Sequence, residues 1–451
     1  MLTRNPIGAG FLLKSTLLAS LLISNAALAE TARYRVVWTG DPSTTATIGW
    51  DQLEGDNPVL YYGTKDVDGD PEKFAHSSAP TRNVPNYRGM NNMFVRLENL
   101  EPDQEYYFVV KDSEGVGPQL WFRTAPDKAK AFTFVAGGDT KSYGSALVAG
   151  RESNMMTGKL RPLFVLFSGD FNSGSGLSAG RWQQWFDDWF LLTTTDDNRL
   201  TPIVPVHGNH EDGDKAVLHH LFDVPYQGDD KENIYFDTAF GNFFSILALN
   251  SQIKAEGAQT EWLEKNLKKY EDHTFKVAAY HKPFFPHTSG KRENQNLYDL
   301  WANLFFTHGL DLSFDADSHI SKMTFPIRPS DEAGSHMGFI RDDAKGTMYI
   351  GEGSWGASPR STDDLKPWTL RAGAFNQIKW LHVFPEQDGK PARIDIRTVI
   401  TAERGEDGLQ AAYSHGVVPL KEGQEFDIPK GIKLFSTEPY GDVISYPFSE
   451  K

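Results

Sequence analysis

Five short segments of this 451-residue chain place a metal-ligating side chain at the end of, or just beyond, an apolar run: Gly138-Asp139-Thr140, Gly169-Asp170-Phe171-Asn172, Gly208-Asn209-His210-Glu211, Tyr280-His281 and Asp317-Ser318-His319. An apolar run that breaks into a polar or Gly-polar step is how a buried strand passes into a loop, so the pattern commits the chain to strands whose ends carry chemistry. Taken singly, a Gly-Asp pair is a common turn, and each Asp reads equally as a turn or helix-capping residue. Five such ends within about 180 residues, all bearing carboxylate, amide or imidazole, point instead to one metal-holding locus.

The surrounding pattern predicts the frame. Beyond the linker Thr124-Ala125-Pro126-Asp127-Lys128, apolar strands alternate with amphipathic helices, beginning with Phe132–Ala136 and Leu163–Phe167. Further strands are expected at Phe243–Leu249, Phe275–Tyr280, Leu310–Phe314 and Thr347–Ile350, with returning strands near Lys379–Val383 and Ile394–Thr398. Trp182, Trp185, Phe186, Trp189 and Phe190 recur at i, i+3, i+4, i+7, i+8, and Leu297, Leu300, Trp301, Leu304 and Phe305 repeat that spacing, so both stripes read as helix faces turned to the core. The predicted fold class is α/β, with a two-sheet α/β sandwich over residues 131–400. Residues 30–126 show only short, turn-punctuated strands and predict a small all-β sandwich, which the spacing in Leu100-Glu101-Pro102-Asp103-Gln104-Glu105-Tyr106 would close with a tyrosine corner. Residues 401–451 read as a C-terminal extension that serves packing or interaction.

Sixty acidic against 45 basic residues give a formal charge of −15. Such a surface repels polymeric nucleic acid, although bound cations would invert the sign locally. Residues 1–29 hold Arg4 and Lys14, no acid, the apolar stretch Leu17–Ile23 and the small-x-small end Ala27-Leu28-Ala29. They predict a signal peptide cut before Glu30 and an exported protein, periplasmic or secreted. That stretch falls short of the roughly 20 residues a membrane span needs, and no later stretch reaches it. The absence of cysteine excludes disulfides and thiolate chemistry.

Phosphoester hydrolysis needs a hydroxide nucleophile at neutral pH and positive charge to take up that of the transferring group, and two cations about 3.5–4 Å apart supply both. The chain offers a matching ligand set in order. Asp139 and His319 would hold a first metal, Asp170 would bridge, and Asn209 and His281 would hold a second. His210 and Glu211 are placed beside the metals, His210 as an acid or phosphate ligand or as a hydrogen-bonding neighbour. His287, six residues after His281, reads as a loop histidine that reaches substrate or one that is simply exposed.

The order of segments resembles the calcineurin-like metallophosphoesterases and, within them, the purple acid phosphatases. Their signatures GDx, GDxxY, GNH(D/E), a lone His after a strand, and GHxH appear here as Gly138-Asp139-Thr140, Gly169-Asp170-Phe171-Asn172-Ser173, Gly208-Asn209-His210-Glu211, His281 and Ala316-Asp317-Ser318-His319. Residues 30–126 are similar to the fibronectin type III domain that precedes the catalytic domain in that family. The resemblance implies a hydrolase of small phosphorylated substrates with two metal ions drawn from Mn, Mg, Fe or Zn. Phosphomonoesters are the first expectation, and phosphodiesters or nucleotides the nearest alternative. Departures stand out at both metal positions. Ser173 replaces the tyrosine whose phenolate colours the family, and Lys141 stands where another branch has a histidine, so Lys141 is expected at the substrate phosphate with Glu211 nearby and Tyr143 as a substitute metal ligand. With Pro326 setting the register, Asp317 takes the place of the first histidine of GHxH, either ligating the second metal or holding His281 or a bound water. Loss of ligands at both positions makes a non-catalytic binding protein the alternative of another class. Trp355 and Trp368 read as pocket walls or as packing.

Overall fold

The computed structural model describes residues 29–405, 408–411, 433–434 and 443–448. The expected signal segment up to residue 28 and most of residues 406–451 lie outside the described residues.

Buried apolar runs set the architecture. Phe132–Gly137, Phe164–Phe167 and Ile203–Pro205 pair in parallel. Beside the first of them, Asn376–Phe384 and Arg393–Gly405 return antiparallel. A second sheet orders Phe236–Phe240, Phe244–Ala248, Phe275–Ala279, Leu312–Phe314, Met348–Gly351, Ser321–Thr324 and Thr369–Gly373. Its strands from Phe244–Ala248 to Met348–Gly351 run parallel. Phenylalanines join the two sheets: Phe134 stacks on Phe164 at 5.0 Å in its own sheet and meets Phe244 and Phe314 of the other at 5.6 and 6.0 Å. Rings of this kind bury roughly 150–250 Å² each, which makes the seam the main apolar core. Parallel strands all end on one edge, so the loops that follow them are delivered to a common place.

The N-terminal all-β region is present as expected. Its four-stranded sheet of His76–Ser78, Val59–Gly63, Glu105–Lys111 and Leu120–Arg123 faces strands Thr31–Val37, Ala46–Gln52, Met90–Leu97 and Arg82–Tyr87, with Tyr34 and Phe108 meeting across the layers at 6.2 Å. The Tyr106 hydroxyl accepts the Glu101 N–H at 2.8 Å and makes the corner that the Leu100–Tyr106 spacing predicts. The sandwich is not a detached unit, however. Val37 pairs in parallel with Ile203, so the N-terminal strands continue the catalytic sheet to a total of 12 among the described residues. The joint is further held by Arg35, buried, whose Nε donates to the Leu221 carbonyl at 2.8 Å and whose guanidinium lies 4.5 Å from the Phe186 ring.

Helix Ala179–Thr193 buries Trp182, Trp185, Phe186 and Trp189, as its stripe predicts. The second stripe is not one α-helix. A π turn at Tyr298–Ala302 separates Gln295–Leu297 from Asn303–Thr307. This widening keeps Leu297, Trp301 and Phe305 buried and leaves Leu300 and Leu304 half-buried. At the C-terminal side, the boundary expected at residue 400 falls inside Arg393–Gly405, and Ile444–Tyr446 pairs with Ile394–Ile396 of the same strand. No helix among the described residues is long and apolar enough to cross a membrane.

Candidate metal centre

Each expected ligand leaves its strand within a few residues, and the backbone there is unusual. Asp139, Asp170, Asp317 and His319 have φ of 65°, 57°, 67° and 56°. Aspartate tolerates the left-handed region better than most residues, and histidine adopts it only occasionally, so four such residues at one locus mark backbone held by its surroundings. The holding contacts run between loops. The Asp139 N–H donates to the Gly169 carbonyl at 3.0 Å, and the Asp139 carbonyl accepts from Gly356 and Ala357 at 3.0 and 2.8 Å. Ala316 N–H donates to the His281 carbonyl at 2.8 Å. Gly353, at φ 85°, approaches so closely that a Cβ there would fall 1.7 Å from Asp139 Oδ2.

Asp139, Asp170 and His319 each bring a ligand atom within 4.8 Å of the other two. Asp139 is fully buried, and among the described residues its Oδ1 accepts no hydrogen bond, although His319 Nε2 stands 3.3 Å away. A buried carboxylate oxygen left without a formed hydrogen bond is costly, and a cation held by both side chains removes that cost. These residues fit a metal ion.

A second convergence centres on His281, also fully buried. Its Nδ1 lies 2.8 Å from the Ser168 carbonyl, which can only accept, so Nδ1 carries a proton. Its Nε2 faces Asn209 Oδ1 at 3.0 Å, Asp170 Oδ1 at 3.3 Å and Asp317 Oδ1 at 3.6 Å. In the neutral ring a bare lone pair would confront three oxygens, an arrangement that calls for positive charge at its centre. The electrostatics agree. Burial opposes charge on His281, but Asp170 and then Asp317 outweigh it and hold the imidazole well above its ordinary pKa. Burial likewise works against the Asp170 carboxylate, yet His281 and Lys141 hold its pKa well below the usual range. Asp317 is held below that range by His281 and Lys291 against the same penalty.

Lys141 Nζ stands 3.4 Å from Asp170 Oδ2. His210 donates its backbone N–H to Asp170 Oδ1 at 2.7 Å and places Nε2 3.6 Å from Oδ2, with its side chain 31% exposed. Burial holds the His210 imidazole below its ordinary pKa, partly offset by Asp170.

Two expected site residues are not where substrate would meet them. Glu211 is fully buried, and its carboxylate accepts the N–H groups of Gly208, Asp170 and Phe171. It braces the ligand loops from below rather than binding substrate. Burial and the neighbouring Asp170 push its pKa up to about 8, while those N–H donors pull the other way. His287 is neither exposed nor at the substrate. It is fully buried, with Nδ1 3.0 Å from Glu352 Oε1 and Nε2 2.7 Å from Thr369 Oγ1, so both ring nitrogens are engaged. Tyr143 is 60% exposed, with Arg181 over its ring at 5.9 Å, an exposure that no other proposed ligand shares. Trp355 and Trp368 are buried and pack.

Other contributors carry no spacing signal. Lys291 pairs with Asp317 Oδ1, and Arg360 Nη1 donates to the Asp317 carbonyl at 3.2 Å. Beneath the ligand loop, buried Lys322 contacts Asp315 at 2.6 Å and Glu352 at 3.1 Å, tying the ends of Leu312–Phe314 and Met348–Gly351 together.

Residues 32–124 match the family of the purple acid phosphatase N-terminal domain, and residues 118–321 match the calcineurin-like phosphoesterases, a stretch that includes every candidate ligand named above. With this fold and site the chain is a metal-dependent phosphoester hydrolase. More narrowly, it joins a purple acid phosphatase N-terminal domain to a calcineurin-like phosphoesterase domain. The solved structure of purple acid phosphatase PPD1 from yellow lupin (Lupinus luteus) seeds superimposes with a TM-score of 0.65 at 14% identity, covering 82% of this chain and 72% of that one. The structure of PhoD does so with a TM-score of 0.58 at 13% identity, covering 83% and 91%. At such identities the likeness is one of fold. No curated protein matches the chain.

Proposed function

We propose that the protein is an exported hydrolase of small phosphomonoesters that uses two divalent cations, one at Asp139, Asp170 and His319, the other at Asp170, Asn209, His281 and Asp317. The observation that carries this reading is His281 Nε2 facing oxygens of Asn209, Asp170 and Asp317 at 3.0, 3.3 and 3.6 Å. Bound cations supply Lewis acidity at phosphoryl oxygens and bring the pKa of water near neutrality. The chain's own residues do the rest. The Ser168 carbonyl fixes the His281 tautomer, and the His210 N–H and the Asp170 carboxylate fix each other. Lys141 adds positive charge where a phosphate would enter, and the half-buried His210 stands where it can hold or give a proton at the leaving oxygen. The acidic surface favours small substrates over nucleic acid polymers. Monoester preference rests on the likeness to a purple acid phosphatase, and export on the composition of residues 1–29.

Chelator-treated protein reloaded with Mn, Mg, Zn or Fe and assayed on p-nitrophenyl phosphate and bis-p-nitrophenyl phosphate tests the reaction. Metal-restored turnover of the monoester is expected. Preference for the diester would replace the reading with a phosphodiesterase, and metal uptake without turnover of any phosphoester would leave a binding protein. Mass spectrometry of the exported chain is expected to find Glu30 at its N-terminus; retention in the cytoplasm would sink the proposed address.

A further inference from the structure

Asp317 is the residue at which this chain departs from its family's imidazole, and its carboxylate is already engaged. Lys291 Nζ pairs with Oδ1, the same oxygen that faces His281 Nε2 at 3.6 Å. We propose that Lys291 is a tethered cation that competes with the second metal ion for Asp317, so that the two metal positions fill in order, the first tightly and the second weakly. This rests on the two-cation reading above and goes beyond it by assigning the positions unequal affinity and naming the cause.

The geometry supports competition rather than a passing surface contact. Lys291 and His281 lie ten residues apart on one loop. That loop is braced: Asn294 N–H donates to the Phe284 carbonyl at 2.8 Å, Asn294 Nδ2 to the Pro283 carbonyl at 2.7 Å, and Ser289 is held by Asp363 through two 2.8 Å bonds. Lys291 and Asp317 side chains are only 23% and 9% exposed, so solvent and salt screen the pair poorly. Asp317 cannot follow the lysine away from the site, because its N–H is bound to Asp139 Oδ2 at 2.8 Å and its carbonyl to Arg360 at 3.2 Å. A cation entering beside His281 therefore meets an ammonium already paired with the carboxylate oxygen that faces it. At the first position, among the described residues, no lysine or arginine pairs with Asp139, whose Oδ1 has only the fellow ligand His319 Nε2 beside it at 3.3 Å, and Lys141 reaches the shared Asp170 at 3.4 Å.

Titration of the full-length, metal-free protein with Mn²⁺ by calorimetry, paired with elemental analysis after gel filtration, reads both positions without reference to activity. Wild type is expected to show two classes of site, only the first surviving filtration. Lys291→Met, which keeps the aliphatic stem and removes a positive charge beside the incoming cation, is expected to tighten the second class about tenfold or more and to leave the first unchanged. Asp317→Asn, with an unaltered near-ultraviolet circular dichroism spectrum, is expected to abolish the second class. Equal affinity of both sites in wild type, or a second class that Lys291→Met leaves unchanged or weakens, would overturn the proposal and leave the metal centre standing. Failure of folded wild type to take up any metal would overturn the metal centre and the proposal together.

Discussion

The Glu211 carboxylate lies directly beneath Asp170: its Oε2 accepts the N–H of Asp170 and of Gly208, each at 2.9 Å, and its Oε1 accepts that of Phe171 at 3.1 Å. One buried side chain thus ties the loop after Phe164–Phe167 to the loop after Ile203–Pro205 and sets the left-handed turn from which Asp170 reaches the site. Position and chemistry are separated here, with the ligand above and its brace below.

Glu211→Gln tests that separation. An amide offers one acceptor oxygen and turns an NH₂ toward backbone donors, leaving at least one buried N–H without a partner. The expected cost is about 1–3 kcal/mol by urea denaturation, with metal affinity lowered on the order of 10–100-fold. A stable variant with unchanged metal affinity would return Glu211 to the substrate side of the site.

Asp170→Asn addresses the ligand itself. Asparagine also tolerates the left-handed conformation, here φ 57°, so the fold should persist. Loss of the charge shared by both positions is expected to remove bound metal and to lower turnover on the order of a hundredfold or more. Elemental analysis and a monoester assay check both, and full activity in this variant is incompatible with a bridging carboxylate.

The position of Ser173 makes an optical prediction. Its hydroxyl accepts the Ser142 N–H at 3.4 Å in place of the family's phenolate. Iron-loaded protein is expected to show no visible tyrosinate band. A band that disappears in Tyr143→Phe would identify that exposed tyrosine as a ligand after all.

The joint between the N-terminal sandwich and the catalytic sheet offers a stability test far from the metal. Asp223, its side chain fully buried, receives Arg82 at 2.6 Å and Arg96 at 2.6 and 2.7 Å. Asp223→Asn keeps the left-handed backbone and removes the anion from two guanidiniums, of which Arg82 retains the His219 carbonyl. Because Arg96 is half exposed, the expected loss is about 2–3 kcal/mol rather than the larger cost of a fully buried pair. Thermal unfolding should fall while metal content stays unchanged.

How much of this was readable beforehand follows from range. The strands were legible because Phe132–Gly137 or Phe275–Ala279 need only their own apolar side chains to declare burial. Asp139, Asp170, Asn209, His281 and His319 were legible as candidate ligands because each sits at a strand end, where a carboxylate, amide or imidazole has little packing reason to be. Glu211 and His287 were misjudged because what decides a buried polar residue is its partner. His287 meets Glu352 65 positions away, and no local pattern encodes that. Lys291 was invisible for the same reason. The continuous sheet rests on the single register pair Val37 and Ile203, too small a feature to show in periodicity. The π turn at Tyr298–Ala302 was hidden because its apolar spacing still looks helical.

Acid sensitivity is expected at the same joint. His219 is 7% exposed, its Nδ1 is 2.8 Å from the Val224 carbonyl, and Arg82, His220, Asp223 and Tyr226 surround it. Burial lowers its pKa from 6.5 to about 4, with Arg82 and His220 acting in the same direction and the Val224 carbonyl and Asp223 against it. A depressed folded-state value means that the unfolded chain takes up the proton first as pH falls. The stability contributed by neutral His219 is therefore complete above about pH 6.5 and lost progressively toward pH 4. His219→Asn can still donate to Val224 but does not titrate. The stability difference between wild type and this variant is expected to shrink by about 2 kcal/mol between pH 7 and pH 4.5. Urea unfolding of both proteins across that range measures it, and a difference that stays flat would mean that His219 is already protonated in the folded joint or stays exposed to solvent.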